Sequence, residues 1–272
     1  MSRAVGLAAL FVTAAFSPLS AQTGQPLKIA IAGDSTVATY KPTEVLRGWG
    51  QLLPEFFAPG TQIDNFAKNG RSTKTFRAEG LWQKTLADRP DFVFIQFGHN
   101  DSHTPLATHP EGTVADGDYL ENLRLYVSEA RAAGSVPILV TPMHRRTFLA
   151  DGTMTRELLP YVTSIKKVAA EMKVPLVDLY ADSGALFEKL GDAGSAFFTP
   201  KDRTHFSEKG ARVMAFFVAR DAAKLDERLQ KAEVNPLPDP TVGLKAGAKS
   251  APAGKTLPND PAATIKTEVA PK

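Results

Sequence analysis

The stretch Phe92-Val93-Phe94-Ile95-Gln96-Phe97, followed at once by Gly98-His99-Asn100-Asp101, decides how the chain is to be read. A run that is apolar at every position but Gln96 suits a strand covered on both faces, the environment of a parallel sheet rather than a half-solvated antiparallel one. Four other segments read as strands: Leu27–Ala32, broken only by Lys28, Gln62–Phe66, Pro137–Thr141 and Pro175–Leu179. Helical spacing lies between them. Tyr119, Leu123, Tyr126 and Ala130 step by four, three and four, and so share one helix face, as do Tyr161, Ile165, Val168 and Met172. A long last helix is expected from near Ser207, with Glu208 in its first turn, through Ala211, Met214, Phe217 and Val218 to about Gln230. Alternating strands and helices imply an α/β domain in which helices cover both faces of a parallel sheet. Sites on such sheets form beyond the carboxyl ends of the strands, so the residues just after each strand matter most.

The remaining properties narrow the class. The chain has 272 residues, 43% of them hydrophobic, which is enough for one large α/β domain. It has no cysteine, which excludes disulfides, thiolate metal sites, iron–sulfur clusters and a cysteine nucleophile together. The net charge of +3 comes from the ends of the chain: residues 22–230 hold 25 basic and 25 acidic side chains. A neutral body argues against bulk nucleic-acid binding, which needs many phosphate-neutralising cations. Residues 1–21 read as a signal peptide, with Arg3, an uncharged apolar run from Ala4 to Phe16, and Ala21 at the cleavage position. The run is too short to span a bilayer, so no stable membrane insertion is expected once it is removed. Residues 231–272 carry seven prolines and no aromatic residue, and read as a disordered tail.

The segments after the strands carry reactive groups. Gly33-Asp34-Ser35-Thr36 follows the first, Ala67-Lys68-Asn69-Gly70-Arg71-Ser72 the second, and Gly98-His99-Asn100-Asp101 the third; Asp202-Arg203-Thr204-His205 precedes the last helix. Each alone is ordinary turn or capping chemistry. Together they resemble the SGNH (GDSL-like) hydrolase superfamily over about residues 27–225. Within it, Gly48-Trp49-Gly50-Gln51, Asn65-Phe66-Ala67, and Thr141-Pro142 followed by Arg145-Arg146 resemble the rhamnogalacturonan acetylesterase-like family.

That resemblance implies a three-layer α/β/α, flavodoxin-like domain with a five-stranded parallel sheet over residues 22–230. It implies a serine esterase that removes acetyl groups from pectic polysaccharide, and with the signal peptide this gives an expected exported enzyme, secreted or periplasmic. Ser35 would be the nucleophile, His205 the base and Asp202 its orienting partner; an imidazole suits proton transfer near neutral pH, and positions i and i+3 share a face in a turn. The backbone N–H groups of Ser35 and Gly70 and the Asn100 amide would form the oxyanion hole. Arg71, Arg145 and Arg146 are candidates for uronate carboxylates, since guanidinium binds such groups in bidentate fashion. Trp49 and Trp82 are expected in the core. His99 and His103, four apart, could ligate zinc on a helix, but they read as loop residues, and no metal or other cofactor is expected. The expected partner is an acetylated poly- or oligosaccharide, and the protein is expected to be monomeric. Two alternatives stand beside this reading: a general acyl-esterase, lipase or thioesterase, and a non-catalytic carbohydrate-binding protein of the same fold. No Gly-x-Ser-x-Gly stretch points to the α/β-hydrolase elbow.

Overall fold

The computed structural model describes residues 26–246; the expected signal peptide lies outside them, as do residues 247–272 of the expected tail. Five parallel strands, β1 (Lys28–Gly33), β2 (Gln62–Asn65), β3 (Phe92–Gln96), β4 (Val136–Val140) and β5 (Leu176–Val177), lie in the order β2-β1-β3-β4-β5. All five expected strands are present, each within a few residues of its expected ends. The helices are α1 (Trp49–Leu52), α2 (Thr73–Ala78), α3 (Leu81–Leu86), α4 (Leu120–Ala132), α5 (Leu159–Met172), α6 (Leu179–Ser195, kinked at Gly191), α7 (Glu208–Ala222) and α8 (Glu227–Ala232).

Alternation along the strands sorts side chains into two cores. Ile29, Ile31, Phe92 and Phe94 join the core under α1, α6 and α7, whereas Ala30, Ala32, Val93, Ile95 and Phe97 join the one under α2 to α5. The two helical stripes expected from the sequence bury Leu123, Tyr126 and Ala130 of α4 and Tyr161, Ile165 and Val168 of α5 against the second core. Trp49 and Trp82 are both buried, as expected, and each indole N–H has a partner: Gln96 Oε1 at 2.7 Å and Glu129 Oε2 at 2.7 Å.

The C-terminal part departs from expectation. The single helix read from Ser207 to about Gln230 is two helices. After α7 the chain tightens, with Leu225 N–H donating to Ala222 O at 2.9 Å. Asp226 then takes an extended conformation and caps α8 by accepting from Arg228 N–H at 2.8 Å. An aspartate before a helical run favours a new start over continuation, because its side chain satisfies an otherwise orphaned donor. The body also continues past residue 230. Ala58 N–H donates to Ala232 O at 2.7 Å, Val234 N–H donates to Phe56 O at 3.1 Å, and Glu233 forms an antiparallel bridge with Phe57. Ala232, Leu237 and Leu244 pack on the first core. The absence of aromatics after Lys231 therefore does not keep residues 231–246 off the domain: a few aliphatic side chains and edge hydrogen bonds hold them. No described helix is long and apolar enough to cross a membrane.

Candidate active site

In a sheet ordered 2-1-3-4-5, the crossovers on the two sides of the β1/β3 boundary run to opposite faces and leave a crevice beyond the carboxyl ends of those strands. Gly33-Asp34-Ser35-Thr36 leaves β1 there, and Gly98-His99-Asn100-Asp101 leaves β3 beside it.

The β1 turn is built on a buried carboxylate. Asp34 Oδ1 accepts from the Thr36 backbone N–H at 2.9 Å and from its hydroxyl at 2.8 Å, while the Asp34 carbonyl accepts from Ala38 N–H at 3.0 Å. A chain of side chains locks Thr36 from below: Gln96 Nε2 donates to Thr36 Oγ1 at 2.7 Å, and Trp49 in turn holds Gln96. From above, Tyr40 donates its hydroxyl to the Ser35 carbonyl at 2.9 Å, and the Tyr40 N–H donates to Gln51 Oε1 at 3.0 Å. These bonds fix the backbone of Ser35 and leave its hydroxyl on the crevice side.

Ser35 Oγ lies 2.8 Å from His205 Nε2, and His205 Nδ1 lies 2.7 Å from Asp202 Oδ2. Asp202 also accepts at Oδ1 from the backbone N–H groups of Thr204 and His205, both at 2.7 Å. Burial pushes this carboxyl up, but the His205 ring and the two N–H donors outweigh it and hold it down at about 2. A fixed carboxylate on Nδ1 leaves Nε2 to accept the serine proton. The loop carrying the pair is tied on two sides. Arg47 N–H donates to Phe206 O at 3.0 Å, and Arg146 N–H donates to Arg203 O at 2.8 Å.

Gly70 has φ of +77°, and a Cβ added there would meet nothing within 4 Å. Glycine is favoured here by the left-handed backbone rather than by a crowded approach. Asn100 donates from Nδ2 to Arg71 O at 3.0 Å, which couples the β3 loop to the Gly70 loop and leaves the amide a second N–H. Gly98, at φ +139°, is needed on both counts, since an added Cβ would lie 2.8 Å from Pro142 Cγ. Beneath Asn100, His99 is buried between Asp34 Oδ2 at 3.3 Å and Met143 O at 3.1 Å, and burial lowers its pKa.

The three arginines separate. Arg71 is engaged by Glu79 through two side-chain bonds of 2.9 and 3.0 Å. Arg145 donates to Thr204 Oγ1 at 3.0 Å and to His99 O at 3.1 Å, bridging the histidine loop and the Asn100 loop. Arg146 is a correction. It is 3% exposed, and its donors go to Thr199 Oγ1, Asp192 O, the Asp192 carboxylate and Ser195 Oγ. A guanidinium so enclosed is a strut between the segment after β4 and the end of α6, turned away from a polysaccharide carboxylate. Adjacent in sequence to Arg145, it gave no sign of pointing inward. Two features escaped the sequence reading: the Tyr40–Ser35 bond, and a cluster in which His103 joins His109 and Glu111 rather than His99.

A strand-end serine, imidazole and carboxylate in one hydrogen-bonded line, beside glycine and amide donors on a flavodoxin-type sheet, define a carboxylic ester hydrolase of the SGNH type. The chain belongs to the GDSL-like lipase/acylhydrolase family, whose profile matches residues 31–213. It is 35% identical over 218 residues to a rhamnogalacturonan acetylesterase of Bacillus subtilis, covering 74% of this chain and 91% of that protein. To a probable rhamnogalacturonan acetylesterase of the same organism it is 37% identical over 205 residues, covering 72% and 93%. Among solved structures, a Bacillus subtilis protein superposes with a TM-score of 0.65 at 28% identity, covering 74% of this chain and 57% of that one.

Proposed function

We propose that the protein is an exported serine carbohydrate esterase that removes O-acetyl groups from pectic polysaccharide of the rhamnogalacturonan type. The observation that carries this is the unbroken hydrogen-bonded line from Ser35 through His205 to Asp202. In the proposed reaction His205 Nε2 takes the Ser35 proton as Oγ attacks the acetyl carbonyl. The backbone N–H groups of Ser35 and Gly70 and the free N–H of Asn100 receive the developing oxyanion. His205 then protonates the departing sugar hydroxyl, leaving acetyl-Ser35. Water, deprotonated by His205, attacks that ester, and acetate leaves as Ser35 regains its proton. Asp202 stays ionised throughout and steadies the imidazolium.

The pectic substrate rests on the similarity to the two Bacillus acetylesterases and on partly exposed cations at the crevice, Arg71 and Arg145, which suit uronate carboxylates. Export rests on the pattern of residues 1–21. The test is acetate release from acetylated pectin, acetylated xylan and p-nitrophenyl acetate by the wild type and Ser35→Ala. The expected result is release from pectin above xylan, with the variant at least about 10³-fold slower on every substrate. Equal rates for wild type and variant would remove Ser35 as nucleophile, and faster turnover of xylan would remove the pectic assignment.

A further inference from the structure

The segment between Asn100 and Thr113 leaves the crevice and returns to it, closed at its base by Thr113 N–H donating to Asp101 O at 2.9 Å. His103, His109 and Glu111 converge within it. His103 Nδ1 lies 2.8 Å and His109 Nδ1 3.2 Å from the same carboxylate oxygen, Glu111 Oε1, and the two rings stand 5.3 Å apart. One carboxylate oxygen thus already faces two imidazole nitrogens, with all three ligand atoms within 4.8 Å of one another. We propose that these three residues form a site for a divalent transition-metal ion of the zinc class, which clips the excursion just beyond Asn100.

The chemistry of the donor set fits. Two imidazoles and one carboxylate are a common three-ligand set for zinc, with water in the fourth position. Bonds of about 2.0–2.1 Å in a tetrahedron put ligand atoms roughly 3.3 Å apart. The His109–Glu111 pair is at that spacing and the His103–Glu111 pair needs to open by about half an ångström. The two imidazole nitrogens lie within 4.8 Å of each other, and both rings are partly exposed, at 38% and 42%, so they can turn and an ion can reach them from solvent. The backbone beneath is already arranged. His103 N–H donates to Asn100 O at 3.2 Å, His109 N–H to Pro105 O at 3.1 Å, and Gly112 N–H to His109 O at 2.9 Å. Lys74 of α2 donates to Gly112 O at 3.0 Å and fastens the far side of the turn. Binding therefore orders side chains and little backbone, which favours affinity. The alternative is that the two histidines serve only as hydrogen-bond donors to Glu111, and the experiment separates the two.

The untagged full chain, stripped with a chelator, is titrated with zinc sulfate by calorimetry and by thermal unfolding. The proposal expects one saturable equivalent at these residues and a rise in Tm of roughly 5 °C once zinc exceeds its dissociation constant about 100-fold. His103→Ala and Glu111→Gln should each weaken that equivalent at least about tenfold and abolish the rise. Glu111→Gln keeps the shape of the side chain, so it reads out ligation even if His103→Ala folds poorly. His205→Ala should retain the equivalent, since His205 pairs with Asp202 and is not among the three clustered ligands. Absence of a saturable equivalent, or one that survives both loop variants, or one lost only in His205→Ala, overturns the proposal.

Discussion

Asp202 and Asp101 flank the same crevice and each collects several donors, yet they are pushed in opposite directions. Asp202 is about one-third exposed and accepts from an imidazole and two backbone N–H groups, and it is held at about 2. Asp101 is wholly buried and accepts from the Thr73 N–H and from the hydroxyls of Thr73 and Thr113; burial exceeds what those bonds return and raises it to about 7. Donor count does not explain the difference. Solvent access and a partner that can carry positive charge do, because both act directly on the ionised form. The crevice therefore has one carboxylate built to remain charged and another built to fix loops, and only the first touches His205, the proposed base.

The most severe way to break this contrast is Asp202→Asn. An amide there can still accept a bond, but its N–H₂ group can face Nδ1 and turn the imidazole to the wrong tautomer. The expected fall in kcat is on the order of 10³–10⁴, with far-UV circular dichroism unchanged. A variant retaining near-wild-type kcat would mean that some other group orients His205. The next effect is smaller. Asn100→Ala removes one proposed oxyanion donor and the tie to Arg71 O, and kcat is expected to fall roughly 10²–10³-fold with KM for p-nitrophenyl acetate changed far less. A loss expressed mainly in KM would make Asn100 a substrate contact instead.

The sequence carried these residues clearly because their order and surroundings are constrained by the fold. Ser35 follows an almost unbroken apolar strand, Asn100 follows another, and Asp202 and His205 sit at the i, i+3 spacing that a turn brings together. What it did not carry depends on direction rather than type. Arg145 and Arg146 are identical neighbours, but the loop's path sends one between two catalytic-side loops and encloses the other against Asp192. The His103–His109–Glu111 cluster spans an irregular turn, where no period predicts which side chains meet. The break before α8 was visible in principle, since Asp226 precedes Glu227 as a capping residue should, but the apolar spacing ran on across it and masked the stop.

The finest test of the comparison is Asp101→Asn. A carboxyl whose folded pKa is about 7, against 3.8 as its reference value, binds its proton more tightly in the folded state. Well below pH 4 the carboxyl is protonated in both states and its contribution is complete; that contribution is lost as pH rises from about 4 to 7, where the folded carboxyl also ionises. Between pH 5 and 8 that loss is on the order of 3 kcal/mol. Asparagine cannot ionise, so the variant should lack this part of the slope: urea midpoints of wild type and variant should diverge in the variant's favour from pH 5 to pH 8. Asp202 makes the opposite contribution, present above about pH 4 and lost only as pH falls toward 2, so it stays constant across the same window. Parallel midpoints for wild type and Asp101→Asn across that window would place Asp101 with Asp202 among the permanently ionised carboxylates, and the two sides of the crevice would differ in partners alone.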